Sequence, residues 1–275
     1  AIYGPFDKEI DKQVTAIVQN GENVATEKTG RTGALPYIGE AWYRNQFSVP
    51  NFDKNKKVIL LFEGAMSEPK VFLNGKKVGE WNYGYNFFYF DITDYLAANG
   101  KNNLAVHLSN VGESSRWYPG AGLYRKVKLI VKNKESIDQW GTFVTTPIVT
   151  DDVAKVNINT KVTGEILRIV TKIMAAPGNE LAANKSDAIF GNEFEQNIAV
   201  KNPKLWSPET PYLYTAVSQI FVGDVLKDET TTRFGIRTIK FEPNKGFSLN
   251  GKVRKFKGVC LHHDLGPIGT AINKA

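Results

Sequence analysis

A length of 275 residues fits about two domains, and 42% hydrophobic with 23% charged residues is the composition of an ordinary soluble globular chain. No apolar run approaches the roughly 18 residues of a membrane-spanning helix, and no leader opens the sequence, although a start at Ala1 leaves room for one already removed. The net charge of +7 is spread over lysines met one or two at a time (Lys76, Lys77, Lys126, Lys128), without a basic run or a nucleic-acid motif, so nucleic acid is not expected as a partner.

Periodicity predicts strands almost throughout. Over residues 41–49, Ala41, Tyr43, Phe47 and Val49 alternate with Trp42, Arg44, Gln46 and Ser48, the pattern of a half-buried strand. Residues 58–62 are all apolar and suit a central strand covered on both faces. Val71-Phe72-Leu73, Asn74-Gly75 and Lys76-Lys77-Val78 predict a hairpin, because an Asn-Gly pair supplies the two positive φ angles of a type I′ turn. Residues 87–92, 104–108 and 123–131 add strands, and 93–96 amount to one helical turn capped by Thr93 or Asp94. The aromatic stretch 83–89 around Gly84 is expected to be part buried and part exposed. His107, on the face opposite Leu104, Val106 and Leu108, is expected to be a surface or inter-sheet residue. Short, evenly spaced strands predict a jelly-roll β-sandwich over residues 1–133.

A polar break at 132–136 opens a second region. Strands are expected at 142–144, 153–160, 166–174, 197–200 and 212–222, and about seven short strands over 134–240 suit an immunoglobulin-like sandwich. A third segment, 241–275, begins with another Asn-Gly hairpin at Asn250-Gly251 and runs into an apolar strand over 253–260. Cys260, the single cysteine, rules out an internal disulfide and reads as an inert buried thiol. The fold class is all-β.

Six ordered motifs carry more than periodicity: Gly39-Glu40-Ala41-Trp42-Tyr43-Arg44, Phe72-Leu73-Asn74-Gly75, Phe90-Asp91-Ile92-Thr93, Arg116-Trp117-Tyr118-Pro119-Gly120-Ala121-Gly122-Leu123-Tyr124-Arg125, Phe234-Gly235-Ile236-Arg237 and Gly258-Val259-Cys260-Leu261-His262-His263-Asp264. Together they resemble glycoside hydrolase family 2, and within it the β-galactosidase branch of Bacteroides type. The resemblance implies a jelly-roll sugar-binding domain (1–133), an immunoglobulin-like domain (134–240) and the first strand of a (β/α)8 catalytic barrel, truncated (241–275). It implies a retaining exo-glycosidase of carbohydrate metabolism acting on terminal β-galactosides, with two carboxyl groups about 5–5.5 Å apart. Both glutamates belong deeper in the barrel, so no catalytic residue is expected in this chain, and the chain alone is expected to be inactive. Glu193, Glu195 and the Asp151-Asp152 pair match no catalytic motif and read as solvated loop charges. β-Glucuronidases and β-mannosidases share the plan and stand as alternatives, as does a free-standing carbohydrate-binding module. The tail argues against that module, which needs no barrel-opening strand. No cofactor is expected, a divalent or sodium ion in a complete barrel aside. A carbohydrate substrate, self-association as a homo-oligomer and a periplasmic or secreted location complete the expectations.

Three residues are candidates for substrate binding. His262 would lie past the C-terminal end of barrel strand 1, where side chains face the active site, and a neutral imidazole can donate to and accept from a sugar hydroxyl. By the resemblance, the loop carrying Arg116 and Trp117 reaches the barrel mouth, where a guanidinium beside an aromatic suits a pyranose. Relatives carry an acidic residue near the Arg116 position, and an arginine there favours an anionic sugar such as a uronate. The competing reading has Trp117 and Tyr118 plugging a domain interface. No metal site is expected, since consecutive residues such as His263 and Asp264 point apart on a strand. Trp42, Trp81, Trp140 and Trp206 are expected in cores or interfaces.

Overall fold

The computed structural model describes residues 16–19, 22–26, 39–49, 53, 55–98, 100–110, 122–165, 168–176, 179–187 and 191–259. They divide into two compact units, the first reaching Val131 and the second spanning Lys132–Val259. Among the described residues no helix is long and apolar enough to cross a membrane.

In the first unit, β1 (Ala16–Gln19) and β2 (Glu22–Thr26) make a small antiparallel pair. The main strands are β3 (Gly39–Phe47), β4 (Lys56–Phe62), β5 (Lys70–Leu73), β6 (Lys76–Glu80), β7 (Phe88–Asp91), β8 (Asn102–Asn110) and β9 (Val127–Asn133). They form two sheets, ordered β3-β8-β5-β6 and β7-β4-β9. The apolar strand β4 is central to its sheet, and Val58, Ile59, Leu60, Leu61 and Phe62 are all buried, as the unbroken apolar run requires. One cluster fills the space between the sheets, built on Val58, Leu60, Phe62, Val71, Leu73, Phe88, Val106 and Leu108. Phe62 and Phe88 stack within it at 4.7 Å.

The Asn74-Gly75 hairpin forms with φ of 52° and 81°, the pair of left-handed residues expected. Asn74 also ties the turn to its surroundings: its Nδ2 donates to the Tyr95 carbonyl at 2.8 Å and its Oδ1 accepts from the Asn103 backbone at 2.9 Å. The helical turn is a 3-10 segment, Thr93–Tyr95, and its cap differs from the expectation. Asp91, two residues upstream, accepts from the Thr93 backbone at 3.0 Å, while the Thr93 hydroxyl accepts from Val58 N–H at 2.9 Å.

The second unit contains β10 (Ser136–Val149), β11 (Val153–Thr163), β12 (Arg168–Ala176), β13 (Asn179–Asp187), β14 (Glu193–Lys201), β15 (Tyr214–Val222) and β16 (Val225–Phe234). These seven strands make two sheets, β10-β11-β14 and β13-β12-β15-β16. Strict alternation gives these strands one buried face, and near the middle that face is polar: Thr171 on β12, Gln196 on β14 and Ser218 on β15, with Thr160 on β11 buried nearby opposite Phe194. On either side lie separate apolar clusters, one built on Val156, Ile158, Ile173, Ile198 and Ala216, the other on Val162, Ile169, Phe194 and Ile220. Thr171 Oγ1 donates to Gln196 Oε1 at 2.6 Å and lies 3.0 Å from Ser218 Oγ, so Ser218 is the donor to Thr171. Gln196 Nε2 then donates to the Asn184 carbonyl at 3.2 Å.

A last small sheet in this unit joins β17 (Ile239–Glu242), β18 (Gly246–Leu249) and β19 (Lys252–Val253) in that order. Its Asn250-Gly251 turn is again left-handed, with φ of 50° and 74°. The strand expected over 253–260 is seen only at Lys252–Val253, and 254–259 form no ladder. A strand persists only where a neighbour takes its hydrogen bonds; here the last is Arg254 N–H to the Phe247 carbonyl at 2.9 Å.

Candidate substrate-binding site

Arg116, Trp117 and His262 all lie outside the described residues, as does Cys260. What the structure does show is how the residues flanking 111–121 are held. On one side Ser109 N–H donates to the Ser67 carbonyl at 2.9 Å and Ser67 Oγ donates back to the Ser109 carbonyl at 2.5 Å. On the other side Gly122 and Met66 exchange two backbone hydrogen bonds, each 3.0 Å. Both roots are therefore fastened to the same pair, Met66 and Ser67.

Gly122 has φ of +96°, and a Cβ there would sit 2.3 Å from Tyr43 Oη, so the root accepts no side chain. Burial pushes the Tyr43 phenol above its ordinary value, against an opposing hydrogen bond from the Leu123 backbone. Two residues on, Tyr124 Oη donates to the Gly84 carbonyl at 2.9 Å, and the Arg125 guanidinium lies 5.1 Å from the Tyr124 ring. That bond joins the root to the aromatic stretch. In the stretch Phe88 is buried, whereas Tyr83, Phe87 and Tyr89 are exposed, as alternation predicts. Exposed rings of this kind offer apolar faces on which a pyranose can stack. Sequence reading did not single out Met66, Ser67 or Tyr124 for this role, since nothing local marks a residue whose task is to hold a distant segment.

The tryptophans divide. Trp206 is partly buried, with its carbonyl accepting from Asn250 Nδ2 at 3.0 Å and Arg237 over its ring at 5.3 Å. Trp42, Trp81 and Trp140 are exposed instead of lying in a core. His107 is on the predicted face yet is buried, because Trp42 leans over it with ring centroids 4.8 Å apart. Its Nε2 is 3.3 Å from Glu40 Oε2. Glu193 and Glu195 are solvated but sit on β14, not in a loop; Lys161 pairs with Glu193 at 2.6 Å and Asn157 Nδ2 donates to Glu195 at 2.5 Å. Among the described residues no group of three His, Cys, Asp or Glu could hold a metal ion.

Two family models match the chain: "Glycosyl hydrolase 2 galactose-binding domain-like" over residues 31–118 and "Glycosyl hydrolases family 2" over 135–237. A β-galactosidase of Bacteroides ovatus, BoGH2A, is 41% identical over 251 residues, which is 88% of this chain and 29% of that protein. The solved structure of a glycosyl hydrolase family 2 member from Bacteroides cellulosilyticus superposes with a TM-score of 0.81 at 34% identity, covering 89% of this chain and 33% of its own. A β-glucuronidase of Bacteroides uniformis superposes at 0.78 with 30% identity, over 86% of this chain and 31% of its own. The chain thus spans about a third of the length of the relatives it matches. With both family models in register with the two sandwich units, and the folds in agreement, the chain belongs to glycosyl hydrolase family 2.

Proposed function

We propose that the two sandwiches are non-catalytic domains of a retaining exo-glycosidase that removes terminal β-galactosyl residues. The 41% identity to a protein named a β-galactosidase carries this reading. In it, the acid and the nucleophile are glutamates of a (β/α)8 barrel, about 5–5.5 Å apart, and this chain supplies substrate contacts through His262, Arg116 and Trp117. The rooted corner at Met66 and Ser67 would hold the Arg116 loop steady against the sugar, which limits the freedom lost on binding.

A second observation supports a larger body around these domains. Phe241 on the small sheet is 72% exposed and Phe256, just past it, 77%, with Phe247 linking them at 5.2 and 4.6 Å. So open an aromatic face on a soluble protein marks a surface that something covers, and a barrel domain is the occupant in this reading. A β-glucuronidase is the second candidate, favoured by Arg116, whose guanidinium suits a uronate. The test is hydrolysis of 4-nitrophenyl β-galactoside, β-glucuronide and β-mannoside by two proteins: this chain alone, and these domains joined to a family 2 barrel. The chain alone should release no nitrophenol, and the joined protein should act first on the galactoside. Turnover by the chain alone would overturn the non-catalytic role, and preference for the glucuronide would move the assignment.

A further inference from the structure

The outer face of the β3-β8-β5-β6 sheet carries a groove of about 640 Å³ that is separate from the rooted corner. Its shape follows from the register. Arg44, Ala105 and Phe72 lie side by side across β3, β8 and β5, and in the flanking rows Trp42 pairs with His107 and Gln46 with Asn103. Alanine at the centre of a row bounded by long side chains leaves a floor with nothing above it. Trp42 and Phe72 wall one end, with ring centroids 5.7 Å apart, and Trp42 keeps 45% of its surface exposed. Gln46 Nε2 donates to Asn103 Oδ1 at 2.8 Å, which frees the Gln46 carbonyl as an acceptor and the Asn103 amide as a donor.

Charge narrows the occupant. Arg44 is the one charged residue among those lining the groove, and its guanidinium lies over the Trp42 ring at 5.3 Å. An arginine stacked in this way keeps its N–H edge open, and that edge matches a carboxylate in a bidentate fashion. The nearby carboxylates of the same sheet are engaged elsewhere, Glu40 with His107 at 3.3 Å and Glu80 with Lys77 at 2.7 Å. The volume is within the range of about 300–1,000 Å³ for small-molecule sites. A ligand that offers apolar C–H faces to rings, hydroxyls to amides and one carboxylate to arginine is an acidic sugar.

We propose that this groove binds a saccharide carrying a uronic acid, with the carboxylate on Arg44, the pyranose face on Trp42 and Phe72, and the hydroxyls on Gln46 and Asn103. The reading is independent of the reaction assigned above, since it needs none of the residues placed in the substrate pocket.

The test is calorimetric titration of the full 275-residue chain with cellobiouronic acid and with cellobiose, its neutral counterpart. Cellobiouronic acid should give a saturable isotherm below about 10 mM, and cellobiose should bind at least about tenfold more weakly. Arg44→Met should bring the two ligands to equal affinity, and Trp42→Ala should remove binding of both. Should Trp42→Ala fail to fold, Ala105→Met, which fills the floor from a partly buried position, should abolish binding while leaving the thermal melt in place. Equal affinity for the two disaccharides in the unaltered chain, no binding of either, or binding that survives Ala105→Met would overturn the proposal. So would sedimentation showing that a second copy of the chain occupies this face.

Discussion

The two sandwiches solve the same packing problem with different interiors. The first unit fills the space between its sheets with one unbroken apolar cluster and a stacked phenylalanine pair. Buried Asn102 and half-buried Asn74 bond each other at the turn end of the sheet, where they satisfy loop backbone. The second unit carries its polar groups across the middle, as a belt of Thr160, Thr171, Gln196 and Ser218 between two apolar clusters, the last three joined by hydrogen bonds. An apolar interior is held by burial alone and tolerates sliding between equivalent side chains. A hydrogen-bonded belt does not, because a slip of two residues would set Gln196 against isoleucine with no partner. The lesson is a division of labour: burial gives the first unit its strength, and the belt gives the second its register.

Four variants press on that contrast. The largest expected effect is Phe62→Ala, which removes a fully buried ring and its stacking partner's contact and should cost about 3–5 kcal/mol in urea unfolding. A much smaller loss would mean that the first core is looser than its burial implies. Next, Gln196→Leu leaves Thr171 and Ser218 short of a partner in a buried layer and should cost about 1–3 kcal/mol. Making the whole belt apolar (Thr160→Val, Thr171→Val, Gln196→Leu, Ser218→Ala) should recover most of that loss while broadening the amide resonances of β11 to β15. A quadruple variant as unstable as the single one would contradict the register role. The smallest effect concerns the surface. Arg254 grips Glu209 through two hydrogen bonds of 2.5 and 2.8 Å, and these hold the Glu209 carboxyl at about 2, below its ordinary 4.5. A depressed carboxylate stabilises the fold above its unfolded value and loses that contribution as pH falls from 4.5 through about 2. The pair is solvent-exposed and screened, so the melting temperature should fall slightly more steeply over that window than in Arg254→Met, and the difference should vanish in high salt.

Much of this was legible in the sequence, and the exceptions share a cause. Strands with strict alternation or an all-apolar run, such as β4 and β15, follow from period alone, and both Asn-Gly turns follow from backbone chemistry. Strands β13 and β16 were missed because their residues are mostly polar: Asn179, Glu180, Asn184 and Lys185 in one, and Asp228, Glu229 and three threonines in the other. Both are the edge strands of their sheet, β13-β12-β15-β16, and an edge open to water needs no continuous apolar face of its own. The exposure of Trp42, expected in a core or an interface, and the covering of His107 on its predicted face have a related reason. Face can be read from parity, but which of two cross-strand partners covers the other depends on side-chain direction. Of the site, the loop and tail residues were marked by motif alone, and the anchoring by Met66, Ser67 and Tyr124 was invisible because it joins residues far apart in sequence.

That anchoring has a consequence for how the family can diversify. With Ser109 and Gly122 both tied to adjacent residues, the ends of 111–121 are already brought together by the sandwich itself. Closing a longer or shorter segment between fixed posts changes the free energy little, about 0.6 kcal/mol for each doubling in length. The posts therefore act as a socket, into which segments of differing sequence and length can be fitted without retuning the domain beneath.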